Sequence, residues 1–560
     1  MPVEKLAAMC NDGRGTAMVA AWSTSGTGHE EAGGRQFPQR ATEHLSGLSM
    51  GQAETINFLS SGRAFAADDP VEVIETHGAY VFLCGDTALK LKRAVRYDYM
   101  DLGTVARRKA MIARELELNR PAAPEIYRDM LPVTRGETGL ALNGGGRVVD
   151  WVLRMWRFPA ENQLERVAAR GALDDRLATA IGEAIADYHA AAPVIRCPGR
   201  ILIADIVAGL GRVFAEFPGA MGTARVAGWE KAVTARLASN GAVLDSRARN
   251  GHVRRGHGDL HLGNLVLIGE RPVLYDALEF DETLGTCDVL YDVAFLVMDL
   301  CHRGLRRQGC RVLDGWLRAA RGDEDAGLAA LPLFLSVRAA IRAMVLLQTD
   351  QARGQSGRSG DEVAAYLDLA RAALRPAPPR LIAVGGYSGS GKSVLARALA
   401  PGMGALPGAA LLSSDLERKA GLPAGTRLDP RAYSEACREE VYRRLFARAA
   451  TMLAAGHSVI LDATFVDPRP RAAAEEVAAR ANLPFQGLWL DAPGHILEQR
   501  LQSRQGDASD ADIAVLRRQL AAEPGEITWL HIDASGDPRS ALSRAKETLA
   551  AKQDLDLSRA

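Results

Sequence analysis

The eight residues Gly386-Tyr387-Ser388-Gly389-Ser390-Gly391-Lys392-Ser393 constrain this chain more than any other stretch. They match G-x-x-x-x-G-K-[ST] in full. An apolar run, residues 381–384, leads into them, and a helical pattern follows. Strand, glycine-rich turn and helix start, in that order, make a cradle for phosphate. Glycine lets backbone N–H groups turn toward the anion, and the helix N-terminus adds positive dipole. Lys392 is placed to reach the outer phosphates of ATP, and Ser393 to ligate Mg2+. Gly386, Ser388, Gly389, Ser390 and Gly391 complete the expected ATP-binding loop. A chance glycine turn would explain neither the Lys-Ser pair nor the flanking elements.

A parallel sheet is expected behind such a loop. Residues 409–412, 458–461, 487–490 and 528–532 read as further short apolar strands, with helical stretches between them. That alternation predicts a parallel α/β sheet. Asp415 follows the 409–412 run in LLSSD. It is open to two readings, a carboxylate facing an acceptor hydroxyl or a helix N-cap. Asp462 ends SVILD, where a Walker-B-type carboxylate would sit in a catalytic or Mg2+ role. Arg500 and Arg504 share one face of a helical stretch, so they could close over the phosphates as a lid. The plain alternative is a solvated arginine face. Ser509-Asp510-Ala511-Asp512 reads as a capping box that starts a new helix. A lid hinged between two helices fits that layout.

The first half of the chain reads differently. Residues 71–74, 80–84, 87–92 and 148–156 look like strands; 105–120, 173–191 and 229–238 look helical. A strand-rich lobe followed by a helical one predicts α+β. Its sharpest signal is His257-Gly258-Asp259-Leu260-His261-Leu262-Gly263-Asn264. The Asp-to-Asn spacing equals that of the kinase loop H-R-D-x-x-x-x-N. Asp259 is thus expected at the acceptor hydroxyl and Asn264 at Mg2+. A strand at 272–275 delivers Asp276, a second metal carboxylate in the place of the D-F-G aspartate. Asp281 is a rival, further past the strand end. Asp288 and Asp292, in a helix that Thr286 could cap, read as structural. His257 and His261 read as braces for the loop. Ala88-Leu89-Lys90 repeats the Ala-x-Lys spacing of a kinase phosphate lysine. Lys92 shares that strand face, and Lys90 is preferred. Glu115 in the next helix is the expected partner of Lys90, with Glu117 as competitor.

Composition narrows the function classes. Lys plus Arg and Asp plus Glu are 68 each, a formal net charge of zero. That balance gives no support to bulk binding of nucleic acid or anionic membrane. The 7 cysteines form no C-x-x-C pair, which argues against zinc and thioredoxin-type chemistry. Their odd number and irregular spacing fit a reduced cytoplasm. No uninterrupted apolar run is long enough to span a bilayer; the longest, residues 289–298, is broken by Asp292. The first fifty or so residues are rich in Gly, Ser, Thr and Ala and offer little to a core. Residues 1–54 are expected to be a disordered extension, with Met50 as a candidate start. The remaining organisation is a domain over 55–375, a proline-stiffened linker at 376–380 and a domain over 381–555.

Two resemblances follow from these motifs. GHGDLHLGN, YDALEFD and CDVLYDVAFL resemble the aminoglycoside and choline phosphotransferase superfamily across about 56–375. No G-x-G-x-x-G precedes Lys90, where Thr76-His77-Gly78-Ala79-Tyr80 fills the turn. That departure separates the chain from protein kinases proper. GYSGSGKS, LLSSDLERK, VILDATF and RLQSRQGDASDAD resemble small P-loop kinase domains akin to the polynucleotide kinase and zeta-toxin groups, from about Arg380 onward. The combination resembles bacterial bifunctional aminoglycoside phosphotransferase/ATP-binding proteins. It implies a protein-kinase-like α+β fold followed by an α/β P-loop NTPase fold. It further implies ATP, Mg2+ and two sites that each transfer a γ-phosphate to a hydroxyl of a small molecule. The rival readings are a regulatory ATPase or nucleotide switch, foremost in the P-loop domain, and a nucleic-acid end-processing kinase. Zero net charge weakens the last.

Overall fold

The computed structural model describes residues 50–65, 69–76, 78–97, 100–218, 222–422, 426, 428–503, 512–522 and 524–557. They fall into two compact units. Among the described residues, the first draws on those within Met1–Leu173, Ala191–Leu296 and Ser336–Arg371; the second on those within Asp174–Ala190, Val297–Leu335 and Ala372–Ala560.

Short apolar strands with tight turns build the sheet of the first unit. β1 (Glu72–Glu75), β2 (Ala79–Cys84), β3 (Thr87–Lys92), β4 (Tyr127–Gly136), β5 (Gly139–Leu142) and β6 (Arg147–Trp156) pair antiparallel in the order β1-β2-β3-β6-β4-β5. Alternation along β3 sorts its side chains. Leu89 and Leu91 join Phe82, Val133 and Val152 in a core closed by Phe58 and Leu59 of the helix Met50–Ser60. Lys90 and Lys92 fall on the other face, where both meet Glu115 of the helix Val105–Asn119. That helix starts where Thr104 accepts the N–H of Arg107, a hydroxyl cap of the preferred kind. Further on, β7 (Val253–Arg255), β8 (Leu265–Ile268), β9 (Arg271–Leu274) and β10 (Thr286–Asp288) form two small antiparallel ladders, β7 with β10 and β8 with β9.

In the second unit, β11 (Leu381–Gly386), β12 (Ala410–Ser413), β13 (Val459–Asp462), β14 (Phe485–Asp491) and β15 (Leu530–Asp533) make the expected parallel sheet, in the order β12-β13-β11-β14-β15. Ile382, Val384, Leu488, Leu490 and Ile532 bury against Leu395 and Leu399 of the helix Lys392–Leu399 and Ala541, Ala545 and Leu549 of the helix Pro538–Leu557. Helical segments encoded before the 376–380 linker belong to this unit. Trp316 of the helix Arg306–Ala319 is buried and donates to His189 Nδ1 at 3.1 Å. Asp314 on the same helix accepts the Leu411 N–H of the edge strand β12 at 2.9 Å. A covered edge cannot recruit a stray strand.

Several sequence expectations are corrected. The extension does not run to residue 54, because a helix begins at Met50; residues 1–49 lie outside the described ones. Thr286 is in a strand and does not cap the next helix; Asp288 accepts from Leu290 N–H instead. The helix after the lid region is capped by Asp512, which accepts from Val515 N–H; Ser509 and Asp510 lie outside the described residues. β4 and β5 were absent from the sequence reading, since YRDMLPVTRG interrupts its apolar residues with charges and Pro132. Among the described residues, one stretch, Asp325–Ala352, is long and apolar enough to cross a membrane, and its most apolar window is 83% buried inside the fold. The run at 289–298 is part of the buried helix Val289–His302.

Gln52 shows how tightly the first described helix is tied in. Its amide donates to Lys92 O at 2.9 Å and Asp150 Oδ2 at 3.2 Å, and accepts from Ala94 N–H at 2.6 Å. Losing these bonds leaves buried polar groups unpaired. Gln52→Ala is expected to destabilise the first unit by about 1–3 kcal/mol, read from chemical denaturation of the full chain.

Candidate active sites

The first site forms around β3. Lys90 Nζ lies 2.7 Å from Glu115 Oε1 and 3.0 Å from Asp276 Oδ1. Lys92 Nζ lies 2.6 Å from Glu279 Oε1 and also pairs with Glu115 Oε2. Glu115 is fully buried, whereas Glu117 is 68% exposed and pairs with Arg114. The two lysines sit side by side, as their spacing requires, and only Lys90 reaches Asp276. Burial works against the Lys90 charge, but Asp276 and Glu115 outweigh it and push its pKa up.

Asp276 follows β9 and takes a left-handed conformation, φ +61°. Aspartate tolerates that region better than most residues. Its N–H donates to Tyr127 Oη at 3.1 Å. The next residue, Ala277, donates to Asn119 Oδ1 at 2.7 Å. Asn119 lies one turn beyond Glu115, so one helix face holds both the lysine and the aspartate turn. Asp281 caps the turn Glu282–Gly285, accepting from Thr283 and Leu284 N–H.

The loop between β7 and β8 brings Asp259 and Asn264 together. Asn264 Nδ2 donates to Asp259 Oδ2 at 3.0 Å and to Asp259 O at 2.8 Å. His261 Nε2 stands 3.5 Å from Asp259 Oδ2, while its Nδ1 accepts from Gly263 N–H at 3.0 Å. Nδ1 is therefore the acceptor and Nε2 carries a proton toward the carboxylate. Burial opposes the Asp259 charge, yet His261, His257 and Arg342 outweigh it and hold this carboxyl below the usual range. Asp292 fastens the loop from below, accepting from the N–H groups of His257 at 2.7 Å and Gly258 at 3.1 Å. Asp288 pairs with Arg247 through two bonds of 2.7 Å. Both have the structural roles expected, and His257 braces the loop against Tyr275 O at 3.0 Å.

The second site lies at the carboxyl ends of β11, β12 and β13, the edge where open α/β sheets bind ligands. Register aligns Val384 and Ser413 with Asp462. Ser393 Oγ donates to Asp462 Oδ2 at 2.6 Å. Burial pushes the Asp462 carboxyl up, against the pull of Lys392 and Ser393, and the nearby Asp415 charge adds to the rise. Gly391 caps the helix with φ +92°, and at Gly386 a Cβ would stand 2.7 Å from Leu490 O. Neither position accepts another residue without strain. Ser390 Oγ is buried and meets no partner among the described residues, which fits a loop built around an anion. Ser388 N–H donates to Gln519 Oε1 at 2.9 Å, Gly389 packs on Leu497, and Lys392 Nζ donates to Tyr387 O at 2.9 Å. The Ser393–Asp462 pair has the oxygen donors that a hard divalent cation prefers.

Asp415 is the second residue of the short helix Ser414–Arg418 and not its N-cap. It faces Arg418 at 3.4 Å and is 34% exposed. Arg500 does not point at the loop: it donates to Ser535 O at 3.3 Å and Gly536 O at 3.1 Å. Arg504 lies outside the described residues. Sequence reasoning missed Asn119, Tyr127 and Glu279. Asn119 carried a usable signal, its i+4 spacing from Glu115; Tyr127 and Glu279 acquire their places only through the fold.

The second unit is thus a P-loop nucleotide-binding domain, and residues 381–524 match the AAA domain family. Over 496 residues the chain is 30% identical to the uncharacterized protein Rv2004c of Mycobacterium tuberculosis (strain ATCC 25618 / H37Rv), covering 85% of this chain and 95% of that protein. The uncharacterized protein Mb2027c of Mycobacterium bovis matches to the same extent. The chain belongs to the family of these two mycobacterial proteins. Among solved structures, a choline/ethanolamine kinase family protein from Mesorhizobium loti is 18% identical with a TM-score of 0.29, covering 57% of this chain and 99% of that one. The APS kinase CysC of Mycobacterium tuberculosis is 24% identical with a TM-score of 0.23, covering 32% and 99%.

The Glu115 cluster predicts an acid limb. Burial disfavours the Glu115 charge, but Lys90 and Lys92 outweigh it and lower its pKa from 4.5 to about 2. A folded pKa below the unfolded one stabilises above the unfolded value and is lost as pH falls through the folded value. Wild type should therefore lose stability as pH falls from 4.5 toward 2. Glu115→Gln should be less stable at neutral pH and flatter across that window, measured by denaturant unfolding at stepped pH.

Proposed function

We propose that the chain is an ATP-dependent phosphotransferase with two transfer sites, each passing the γ-phosphate of ATP to a hydroxyl of a small molecule. The observation that carries this reading is Lys90 Nζ held between Glu115 and Asp276. Kinase-like catalysis requires that Lys–Glu pair and the metal-facing aspartate to be in place together. We take residues 55–375 to hold the kinase-like catalytic residues and 381–555 the P-loop ones, joined at 376–380.

In the first site Lys90 positions the phosphates. Asn264 and Asp276 would hold Mg2+, which when bound neutralises phosphate charge. Asp259 accepts a hydrogen bond from the acceptor hydroxyl and aims its oxygen at the γ-phosphorus. As the new O–P bond forms, the bond to the β–γ bridging oxygen breaks. ADP leaves with that electron pair, and the hydroxyl proton passes to the Asp259 carboxylate. In the second site, the backbone of 386–391 and Lys392 hold the triphosphate, Ser393 and Asp462 would hold Mg2+, and Asp415 is the acceptor-side carboxylate. Positioning and charge neutralisation supply most of what phosphoryl transfer needs.

The position of Arg500 favours a second reading of the P-loop domain, as a nucleotide switch without transfer. Its guanidinium is bound to backbone carbonyls and is not poised over phosphate.

Two experiments test the assignment. A screen of hydroxylated metabolites, sugars, nucleosides and aminoglycosides supplies the acceptor. With it, Asp259→Asn should cut turnover at the first site by roughly 10²- to 10⁴-fold and largely preserve ATP binding. Asp276→Asn should weaken Mg-ATP binding as well, and equal loss of affinity in both would refute the acceptor-side role of Asp259. Separately, calorimetry of the intact chain should count two ATP equivalents, of which Lys392→Ala removes one. A single equivalent in wild type would overturn the two-site reading; two equivalents without transfer dependent on Asp415 would favour the switch.

A further inference from the structure

The helix that carries Asp415 is held by a part of the chain distant from it in sequence. Glu417, on Ser414–Arg418, faces Arg448 of the helix Glu435–Ala454, with Arg448 Nη1 3.1 Å from Glu417 Oε2. The same guanidinium makes bonds of 2.8 and 2.9 Å to the two carboxylate oxygens of Asp325 and donates to Leu317 O at 3.1 Å. Asp325 and Leu317 both lie in the 297–335 segment of the second unit. The Arg448 side chain is 11% exposed and that of Asp325 2%. A rigid planar fork with five donors can serve three such partners in one geometry; a lysine cannot.

A second contact points the same way. Gly421 follows the Asp415 helix, and a Cβ there would stand 2.1 Å from Arg321 Nη2. Arg321 itself has a left-handed backbone, φ +53°. The turn spanning 317–325 therefore grips the Asp415 helix through Arg448 and the segment just beyond it through Arg321. The phosphate loop is held separately, by the Lys392–Tyr387 and Ser393–Asp462 bonds.

We propose that Arg448 is a positioning residue for Asp415, fixing the helix Ser414–Arg418 to the 317–325 turn so that the acceptor-side carboxylate stands at a set place beside Asp462. The proposal rests on the reading of Asp415 as the acceptor-side group. It makes the acceptor side of the P-loop site dependent on residues encoded before the 376–380 linker, while the nucleotide side is not.

The test uses the full chain and reads amide hydrogen exchange over 413–420 together with Mg-ATP affinity at the P-loop. Asp325→Asn and Arg448→Lys should each speed exchange in that segment by about tenfold to a hundredfold, the scale of lost charged hydrogen bonds. ATP affinity should stay within about twofold, since the nucleotide side keeps its own bonds. Asp325→Glu, which keeps the charge, should restore most of the protection. Unchanged exchange in both variants would overturn the proposal. So would parallel loss of exchange protection and ATP affinity, because that is the signature of a general scaffold. Asp415→Asn is assayed beside them for ATP consumption: no change there would overturn the acceptor-side reading beneath the proposal, whatever the exchange result.

Discussion

A lysine can be buried in this fold only where carboxylates surround it, and that requirement organises the first unit. Lys90 and Lys92 are 5% and 4% exposed. Unpaired, either charge would be far too costly to desolvate. Glu115 stands between them and meets both. Its position depends on the helix Val105–Asn119 packing Ile112 against Tyr127 and Leu153 of the sheet. The same helix reaches Asp276 indirectly, through Asn119 and Ala277. Strand, helix and the Asp276 turn are thus locked by one polar cluster, and a shift in any of them would strand a buried charge.

The second unit follows a different constraint. Parallel strands put all their carboxyl ends on one edge, so strand geometry brings the phosphate loop, Asp462 and the start of the Asp415 helix to the same place. Their neighbours are small or strained. Phe465, just past β13, has φ +51°, and Thr464 O accepts the Gly386 N–H. Strain of this kind concentrates at functional sites. The edge strand β12 is closed off by Asp314, and the Asp415 helix is anchored through Arg448. So short a helix needs such external support, because a single turn has little intrinsic stability.

The two sites differ in how far they could be read from sequence. Local chemistry was legible where one motif and its immediate elements do the work. The Lys392–Ser393 pair, the strand ending in Asp462 and the Asp259-to-Asn264 spacing all come from stretches short enough for the chain itself to place them. Even the choice of Glu115 over Glu117 was within reach, because heptad-like burial leaves Glu117 on the wet side of its helix. The place of Arg500 was not legible. Arg500 lies on the predicted helix, yet its guanidinium is captured by the carbonyls of Ser535 and Gly536, a contact that no local spacing announces.

By itself the sequence determined the period of many of the elements, the alternation of strand and helix behind the phosphate loop, and which residue types could cradle phosphate or face a hydroxyl. These follow from backbone geometry and from side-chain chemistry, both of which are local. Only the tertiary structure decided that Lys90 and not Lys92 reaches Asp276, that Asp292 fastens the 257–264 loop, and that helices coded before the linker complete the P-loop unit. Each of those outcomes turns on pairs of charges or buried amides brought together across 34 to 186 positions of chain. A buried charge takes whichever partner packing puts within reach, and packing is a property of the whole fold.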